Sequence, residues 1–283
     1  RLLSKSPNQR TKILSFTGSE KAEMPVRIGV FNNMGMFSTL RHLPVKNCTF
    51  EPKSSFFPQK RIMSSMNELE KRCTQVRRDI VRMVHAVNSG HPGGSLGCTE
   101  YFVALYGAIM KHNPTPFSMD GVGEDVFFLS NGHISPVFYS VLARSGYFNV
   151  SELATFRKLS SRLQGHPTTH EHLPGVRVAS GSLGQGMSVA IGAALAKKMN
   201  NDSRLVYSLH GDGELQEGQI WEAAMFAAAK KVDNYIATID VNGQQIDGST
   251  ENVLSLGDLA AKFSAFGWDV LRLETGNNLA GYR

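Results

Sequence analysis

The sequence has few of the features that mark membrane-spanning or secreted proteins. Its 283 residues contain no run of about eighteen apolar residues, which argues against a membrane-spanning helix. Cys48, Cys73 and Cys98 lie far apart, and this odd number gives neither a disulfide framework nor a metal-ligand pattern. We therefore expect a protein of a reducing compartment, the cytoplasm, with one large domain held together by an apolar core.

Acidic residues are scarce at the beginning of the chain. Residues 1–63 hold eleven Lys or Arg against three Asp or Glu, whereas the remaining residues hold nineteen against twenty-one, so the net charge of +6 comes from this basic segment. The rest of the chain has no basic excess that would indicate nucleic-acid binding. Because the segment has scattered prolines and no sustained periodicity, we expect it to lie outside the core, as a disordered extension or a translated leader before Met66. An organelle-targeting segment is the alternative.

The most informative stretch combines a glycine turn with the elements of a parallel sheet. It predicts a strand, a turn, an Ala-rich helix, a second strand and an asparagine: Leu205–Leu209, Gly211-Asp212-Gly213, Glu217–Lys231, Tyr235–Ile239 and Asn242. Open α/β sheets bind ligands at the carboxyl ends of their strands, so Asp212 and Asn242 are expected to face one ligand. Two oxygen donors cannot enclose a cation, and Mg²⁺ shared with a diphosphate fits this chemistry.

Other elements are predicted around this stretch. Ser65 and Glu68 form a capping box at the start of a long helix, and the glycine-rich residues 90–97 are predicted to be neither helix nor strand. Further helices and strands are predicted at Cys98–His112, Asp125–Leu129, from Ser135 to Gly146, at Met187–Met199, at Leu256–Phe266 and at Trp268–Leu273.

Gly211-Asp212-Gly213 followed by Asn242 resembles the thiamine diphosphate fingerprint. The longer segment that ends at Ala223 resembles transketolase, especially the short amino-terminal subunit of split transketolases. Its sequence is Gly-Asp-Gly-Glu-Leu-Gln-Glu-Gly-Gln-Ile-Trp-Glu-Ala. The resemblance covers about Met66 to Leu273. It implies a three-layer α/β fold over residues 64–283, with a mostly parallel sheet and helices on both faces. It also implies thiamine diphosphate and Mg²⁺ as cofactors, and transfer of a two-carbon glycolaldehyde unit from a ketose phosphate to an aldose phosphate.

The resemblance assigns roles to the residues around the glycine turn. Asp212 and Asn242 match the side-chain ligands of Mg²⁺, and Gln244 matches the position whose main-chain carbonyl completes the set. Gly213, together with Gly211, matches the glycines of the diphosphate site, with the N–H of Gly213 offered to the diphosphate.

Two further motifs are assigned in the same way. Gly181 and Leu183, within the text Gly-Ser-Leu-Gly-Gln-Gly, match cofactor-binding positions, and Leu183 matches the residue that lines the aminopyrimidine. Glu217 and Glu222 correspond to family glutamates where two subunits meet.

Four histidines lie beside a glycine: His91, His133, His166 and His210. The first three lie in separate glycine loops without the spacing of a zinc site, which favours proton handling and anion contact. In transketolases, the position of His133 contacts the diphosphate and the substrate, that of His91 the reacting hydroxyls, and that of His166 the donor ketose. His210 lies where an apolar strand residue is expected, and its pattern suggests no role.

The chain also departs from the family. Transketolases activate the cofactor with a glutamate on a second, pyrimidine-binding domain, which implies a partner subunit within a dimer of heterodimers. They also have a further strand and a histidine-bearing loop beyond the position of Arg283, so we expect a chain truncated at its carboxyl end. Alone, it should show little or no activity.

Two alternatives remain open from the sequence. One is the α-subunit of a thiamine-dependent 2-oxoacid dehydrogenase, which shares the Gly-Asp-Gly and asparagine pattern but lacks this set of glycine-flanked histidines. The other is a non-catalytic partner-binding module or an inactive fragment.

Overall fold

The computed structural model describes residues 26–32 and 65–282, which form one α/β unit. The strands are β1 Arg27–Asn32, β2 Val126–Leu129, β3 Val206–Gly211, β4 Tyr235–Val241, β5 Gln244–Gln245, β6 Gly248–Ser249 and β7 Asp269–Leu273. The α-helices are α1 Met66–Val87, α2 Pro92–Gly97, α3 Thr99–Ala104, α4 Ser135–Arg144, α5 Gln185–Met199, α6 Gly218–Ala229, α7 Thr250–Leu254 and α8 Leu259–Ala265.

Five strands form a parallel sheet in the order β2-β3-β4-β1-β7. Strands β5 and β6 form a separate antiparallel pair directly after β4. Because β2, β3 and β4 run in the same direction, the loops at their carboxyl ends meet at one edge of the sheet. This edge carries most of the residues singled out in the sequence.

The sheet lies between two apolar cores, one on each face. Alternate residues of β2 divide between them: Phe127 and Leu129 pack with α1, α3 and α4, whereas Val126 and Phe128 pack with α5, α6 and α8. Each large apolar side chain that is fully buried in this way stabilises the fold by about 1.5–3 kcal/mol. The predicted three-layer architecture with helices on both faces is confirmed.

Helix α1 begins where the sequence predicts. The Ser65 side chain accepts a hydrogen bond from the N–H of Glu68, and the Glu68 carboxylate accepts one from the N–H of Ser65. This capping box satisfies two backbone donors that a helix start leaves without partners. The helix then buries one stripe, which includes Val76 and Ile80, against the core.

Strand β1 differs from the expectation that residues 1–63 lie outside the core. It pairs along its whole length with β4 on one side and along most of its length with β7 on the other. Val26, Ile28 and Phe31 are buried, and the Phe31 ring stacks on Tyr101 with centroids 5.8 Å apart. The other residues of the basic segment, to which the same expectation applies, lie outside the described part of the chain.

Two local predictions were wrong. Residues 92–97, predicted to be loop, form α2, with Pro92 in its first turn, where a missing N–H costs nothing. The helix predicted at Cys98–His112 ends earlier, since α3 passes into one π-helical turn at Leu105–Ile109. In the described ranges, no helix combines the length and apolar character needed to cross a membrane.

Candidate active site

The turns that follow β3 and β4 lie in contact. Gly211 is opposite Asp240 in the parallel register, and the N–H of Asp212 donates to the carbonyl of Asp240 over 3.1 Å. The Asp212 carboxylate in turn accepts the N–H of Gly243 at Oδ2, over 2.7 Å. The structure therefore brings the predicted aspartate against the turn that begins with the predicted asparagine, Asn242.

Asn242 and Gln244 are held in defined orientations on this turn. The Asn242 amide donates to the Asp240 carboxylate over 3.1 Å, and its Oδ1 accepts the N–H of Gln244 over 2.9 Å. A Cβ atom at Gly213 would lie 2.8 Å from the Gln245 Cβ and 3.6 Å from the Gln244 carbonyl oxygen. Glycine at 213 thus permits the close approach of the Gln245 side chain, while the Gly213 N–H donates to Asp212 Oδ1 over 2.9 Å.

The Asp212 carboxyl lies in an environment that disfavours its charge. Burial raises its pKa to about 6, the nearby Asp240 contributes in the same direction, and the N–H groups of Gly243 and Gly213 oppose the rise. A cation at this point would relieve the cost of the buried charge. The residues therefore fit a divalent metal at this sheet edge.

The protein donors here are one carboxylate, one amide and one carbonyl. Across residues 26–32 and 65–282, no three or more His, Cys, Asp or Glu side chains are arranged to hold a metal ion. Mg²⁺ prefers six oxygen ligands and retains several waters, so this set suits an ion whose remaining ligands come from phosphate and water.

The three loop histidines lie close enough to influence one another electrostatically. His91 precedes α2, His133 lies in a 3₁₀ turn at Gly132–Ile134 just after β2, and His166 lies in a long loop. The His91 and His133 rings meet edge to face with centroids 5.1 Å apart. A Cβ atom at Gly181 would contact the His166 side chain at 3.9 Å.

All three imidazoles favour the neutral form. Burial lowers the pKa of His133 to about 4, and the neighbouring His91 adds to this decrease. Burial and the charge of Arg157 lower the pKa of both His91 and His166. Neutral imidazoles can accept a proton at one nitrogen while donating from the other, as general acid–base chemistry requires.

The loop with Leu183 packs against the start of α6. Leu183 is half-buried, and its carbonyl accepts a hydrogen bond from the Gln219 side chain over 3.3 Å. Glu217 is exposed at the start of α6, and its Cβ would lie 3.1 Å from a Cβ atom at Gly184. Glu217 therefore lies at the surface, beside the loop with Leu183.

Two buried polar atoms beside the site have no hydrogen-bond partner among residues 26–32 and 65–282. They are Oδ1 of Asn131 and Oγ of Ser180. Asn131 lies beside Gly211, and Ser180 lies against Gly132, where a Cβ atom would be 2.0 Å from the Ser180 carbonyl oxygen. Unpartnered buried polar groups are costly, and a bound polar ligand would supply the missing partners.

Sequence reasoning missed two residues of the site. Glu214 is quoted in the Gly-Asp-Gly-Glu text but receives no role there, although its carboxylate is buried and accepts hydrogen bonds from three segments. Its position directly after the glycine turn was a usable signal. Arg157 lies near His91 and His166 and donates to Ser89 over 2.9 Å, and no local pattern marks it.

Charge at Glu214 is favoured by its surroundings. Burial opposes ionisation, but the neighbouring His210 imidazole and the hydrogen bonds from Ser130 and Gly184 together bring the pKa of Glu214 below its ordinary value.

Comparison with known proteins places these features in a family. Residues 69–282 match the model of the transketolase thiamine diphosphate-binding domain. An apulose-4-phosphate transketolase subunit from Phocaeicola vulgatus is 40% identical over 205 residues, covering 72% of each chain. The 6-deoxy-6-sulfo-D-fructose transketolase subunit SqwG from Clostridium sp. is 39% identical over 214 residues, covering 74% of this chain and 75% of its own.

A solved structure agrees with these matches. Transketolase from Pichia stipitis, in complex with sedoheptulose 7-phosphate, superposes with a TM-score of 0.71 at 33% identity. The match covers 76% of this chain and 33% of that one, so the chain spans about a third of the solved transketolase.

Proposed function

Because the chain belongs to the transketolase family through its thiamine diphosphate-binding domain, we propose that it is the diphosphate-binding subunit of a split transketolase. In this role it binds thiamine diphosphate through Mg²⁺. Together with a second subunit it transfers a two-carbon glycolaldehyde unit from a ketose phosphate to an aldose phosphate.

The observation that carries the proposal is the contact between the Asp212 carboxylate and the turn of Asn242. The two turns meet through the 2.7 Å hydrogen bond from Gly243 to Asp212, at the carboxyl ends of adjacent parallel strands. Asp212, Asn242 and the carbonyl of Gln244 would hold the Mg²⁺, and the diphosphate would bind beside Gly213.

The histidines would handle the protons of the sugar hydroxyls. Bound thiamine diphosphate supplies a nucleophilic carbon that permits cleavage of the bond next to a ketose carbonyl. Hydroxyl protons leave and return as such a bond breaks and forms. His91, His133 and His166 are clustered and favour the neutral form, so each can accept a proton and give it back.

A partner chain would complete the site. The relatives from Phocaeicola vulgatus and Clostridium sp. are named as subunits, which supports a separate pyrimidine-binding subunit here. Glu217 is exposed at the start of α6, where a second chain can reach it. We propose a dimer of heterodimers with this partner. The family match also favours transketolase over the α-subunit of a 2-oxoacid dehydrogenase.

Calorimetry on the whole chain tests the cofactor part of the proposal. Thiamine diphosphate is titrated into the chain with MgCl₂ and, separately, with a chelator. We expect heat from thiamine diphosphate binding in the presence of MgCl₂ and none in the presence of the chelator. No binding in either condition would overturn the proposal and leave the alternative of an inactive fragment.

Activity is then measured in the presence of the pyrimidine-binding subunit. Transfer from xylulose 5-phosphate to an aldose phosphate is expected when both chains are present and not with either by itself. Turnover of pyruvate instead of the sugar would favour the dehydrogenase.

A further inference from the structure

The Glu214 side chain connects three segments of the chain. Its carboxylate is 2% exposed and accepts hydrogen bonds from the Ser130 hydroxyl, from the Gly184 N–H over 2.8 Å and from the Gly211 N–H over 3.2 Å. The Ser130 hydroxyl also accepts the N–H of Gly186 over 3.1 Å. One carboxylate therefore ties the end of β2, the start of α5 and the end of β3.

Each connected segment carries a residue of the proposed cofactor site. His133 follows Ser130 by three positions, Leu183 directly precedes Gly184, and Asp212 directly follows Gly211. Because these three site residues lie in loops outside the strands, side-chain contacts help to set their relative placement. Glu214 is a side chain that contacts all three segments.

The His210 side chain also lies beside the Glu214 carboxylate. It is completely buried, and its Nδ1 faces Glu214 Oε2 at 3.5 Å, with no closer partner in the described part of the chain. Its Nε2 lies 2.7 Å from the Ser208 hydroxyl, which lies 2.6 Å from the Tyr235 hydroxyl. A polar residue at this strand position therefore has a structural reason: it supports the carboxylate from within the sheet.

We propose that Glu214 is a positioning residue that sets the relative placement of the loops with His133, Leu183 and Asp212, and that His210 holds it there. This inference rests on the proposed function. The surrounding groups that point at the carboxylate can all donate hydrogen bonds. The NH₂ group of a glutamine at position 214 would therefore face another donor. A buried charge also loses much of its stabilisation if any donor moves away, which resists displacement of each loop.

The test is Glu214→Gln in the full chain, with three measurements. The Kd for thiamine diphosphate in MgCl₂ is determined by calorimetry at a temperature where circular dichroism shows the variant to be folded. We expect it to rise about 10- to 100-fold, as for outer residues that orient metal ligands. Thermal unfolding of the ligand-free protein and hydrogen exchange at the amides of Gly184 and Gly211 are measured alongside. Faster exchange at both amides is expected.

Asp79→Asn is the matched control. Asp79 is also fully buried, and its carboxylate accepts from Ser140 and, through two nitrogens, from Arg144, between α1 and α4. A purely structural loss should lower the unfolding temperature of this variant while leaving its Kd unchanged when folded.

Ser130→Ala provides a milder variant if Glu214→Gln does not fold. It removes one donor to the carboxylate, and a smaller rise in Kd is expected in the same direction. An unchanged Kd in folded variants, with the wild-type chain binding, would overturn the inference alone. No Mg²⁺-dependent binding by the wild-type chain would overturn the proposed function and this inference with it.

Discussion

The ring of His91 meets the ring of His133 edge to face, at 5.1 Å between centroids. The two residues come from different loops, one before α2 and one after β2. Two imidazolium ions at this separation would repel each other, and burial adds a cost to the charge of His133. The pair therefore resists protonation.

This resistance predicts a loss of stability in acid. His133 has an ordinary pKa of 6.5 when unfolded and about 4 in the fold, so between these values the unfolded chain binds more protons and the free energy of unfolding decreases as the pH falls. Asp212, with a pKa raised to about 6, acts in the opposite direction below that value. We expect His133→Gln to lose less stability than wild type between pH 6.5 and 4 in denaturant unfolding. The exposed His85→Gln is the control, and an identical pH dependence of His133→Gln and wild type would contradict the assignment.

Removal of the carboxylate should abolish the metal dependence of cofactor binding. In Asp212→Asn, one anionic ligand of the proposed Mg²⁺ site is lost, together with an acceptor for the N–H of Gly243. Calorimetry with thiamine diphosphate should then give no difference between MgCl₂ and chelator. Asp247 is an exposed aspartate in the turn between β5 and β6, and the Asp247→Asn variant should bind as wild type does. Retained Mg²⁺ dependence in Asp212→Asn would exclude Asp212 as a ligand.

A methyl group at Gly132 should disturb the loop with His133. Its Cβ would lie 2.0 Å from the Ser180 carbonyl oxygen, so one backbone segment must shift, at a cost of about 1–3 kcal/mol. Gly192→Ala is the control, because a Cβ there meets nothing within 4 Å on an exposed position of α5. That change should stabilise the chain by roughly 0.5–1 kcal/mol. Equal unfolding free energies for the two variants would refute the predicted clash.

Truncation of a β1 side chain tests whether the basic segment contributes to the core. Phe31 is 2% exposed, and Phe31→Ala should cost roughly 3–5 kcal/mol of unfolding free energy. Leu271 on β7, at 62% exposed, offers a matched truncation, and Leu271→Ala should cost far less. If Phe31→Ala and wild type have the same denaturant midpoint, β1 does not pair within the sheet as described.

Local patterns predicted the centre of the fold well. Strands β3 and β4, helix α6 and the capping box of α1 each have a signal within a few residues: a short apolar run, a glycine turn or a Ser-x-x-Glu pair. The contact between the turns of Asp212 and Asn242 followed from strand direction alone, because parallel neighbours present the same ends together.

The errors come from interactions across the chain. Val26, Ile28 and Val30 alternate along the chain as in a strand, a signal that was missed. Nothing local, however, indicates that Arg27 pairs with Ile236 and Asp269. Helix α2 forms in a glycine-rich segment because its residues Ser95 and Leu96 are buried against neighbouring elements. This burial outweighs the poor helix propensity of glycine. The role of His210 required the positions of Glu214 and Ser208 around it.

The place of β1 in the sheet also has a consequence during synthesis. The strand leaves the ribosome long before β4 and β7, between which it must insert. Until then its apolar side chains have no sheet to join, and closing so large a loop is slow. A nascent chain of this topology must therefore wait for β7 before β1 has a neighbour on each side, and meanwhile the segment is open to chaperones and to aggregation.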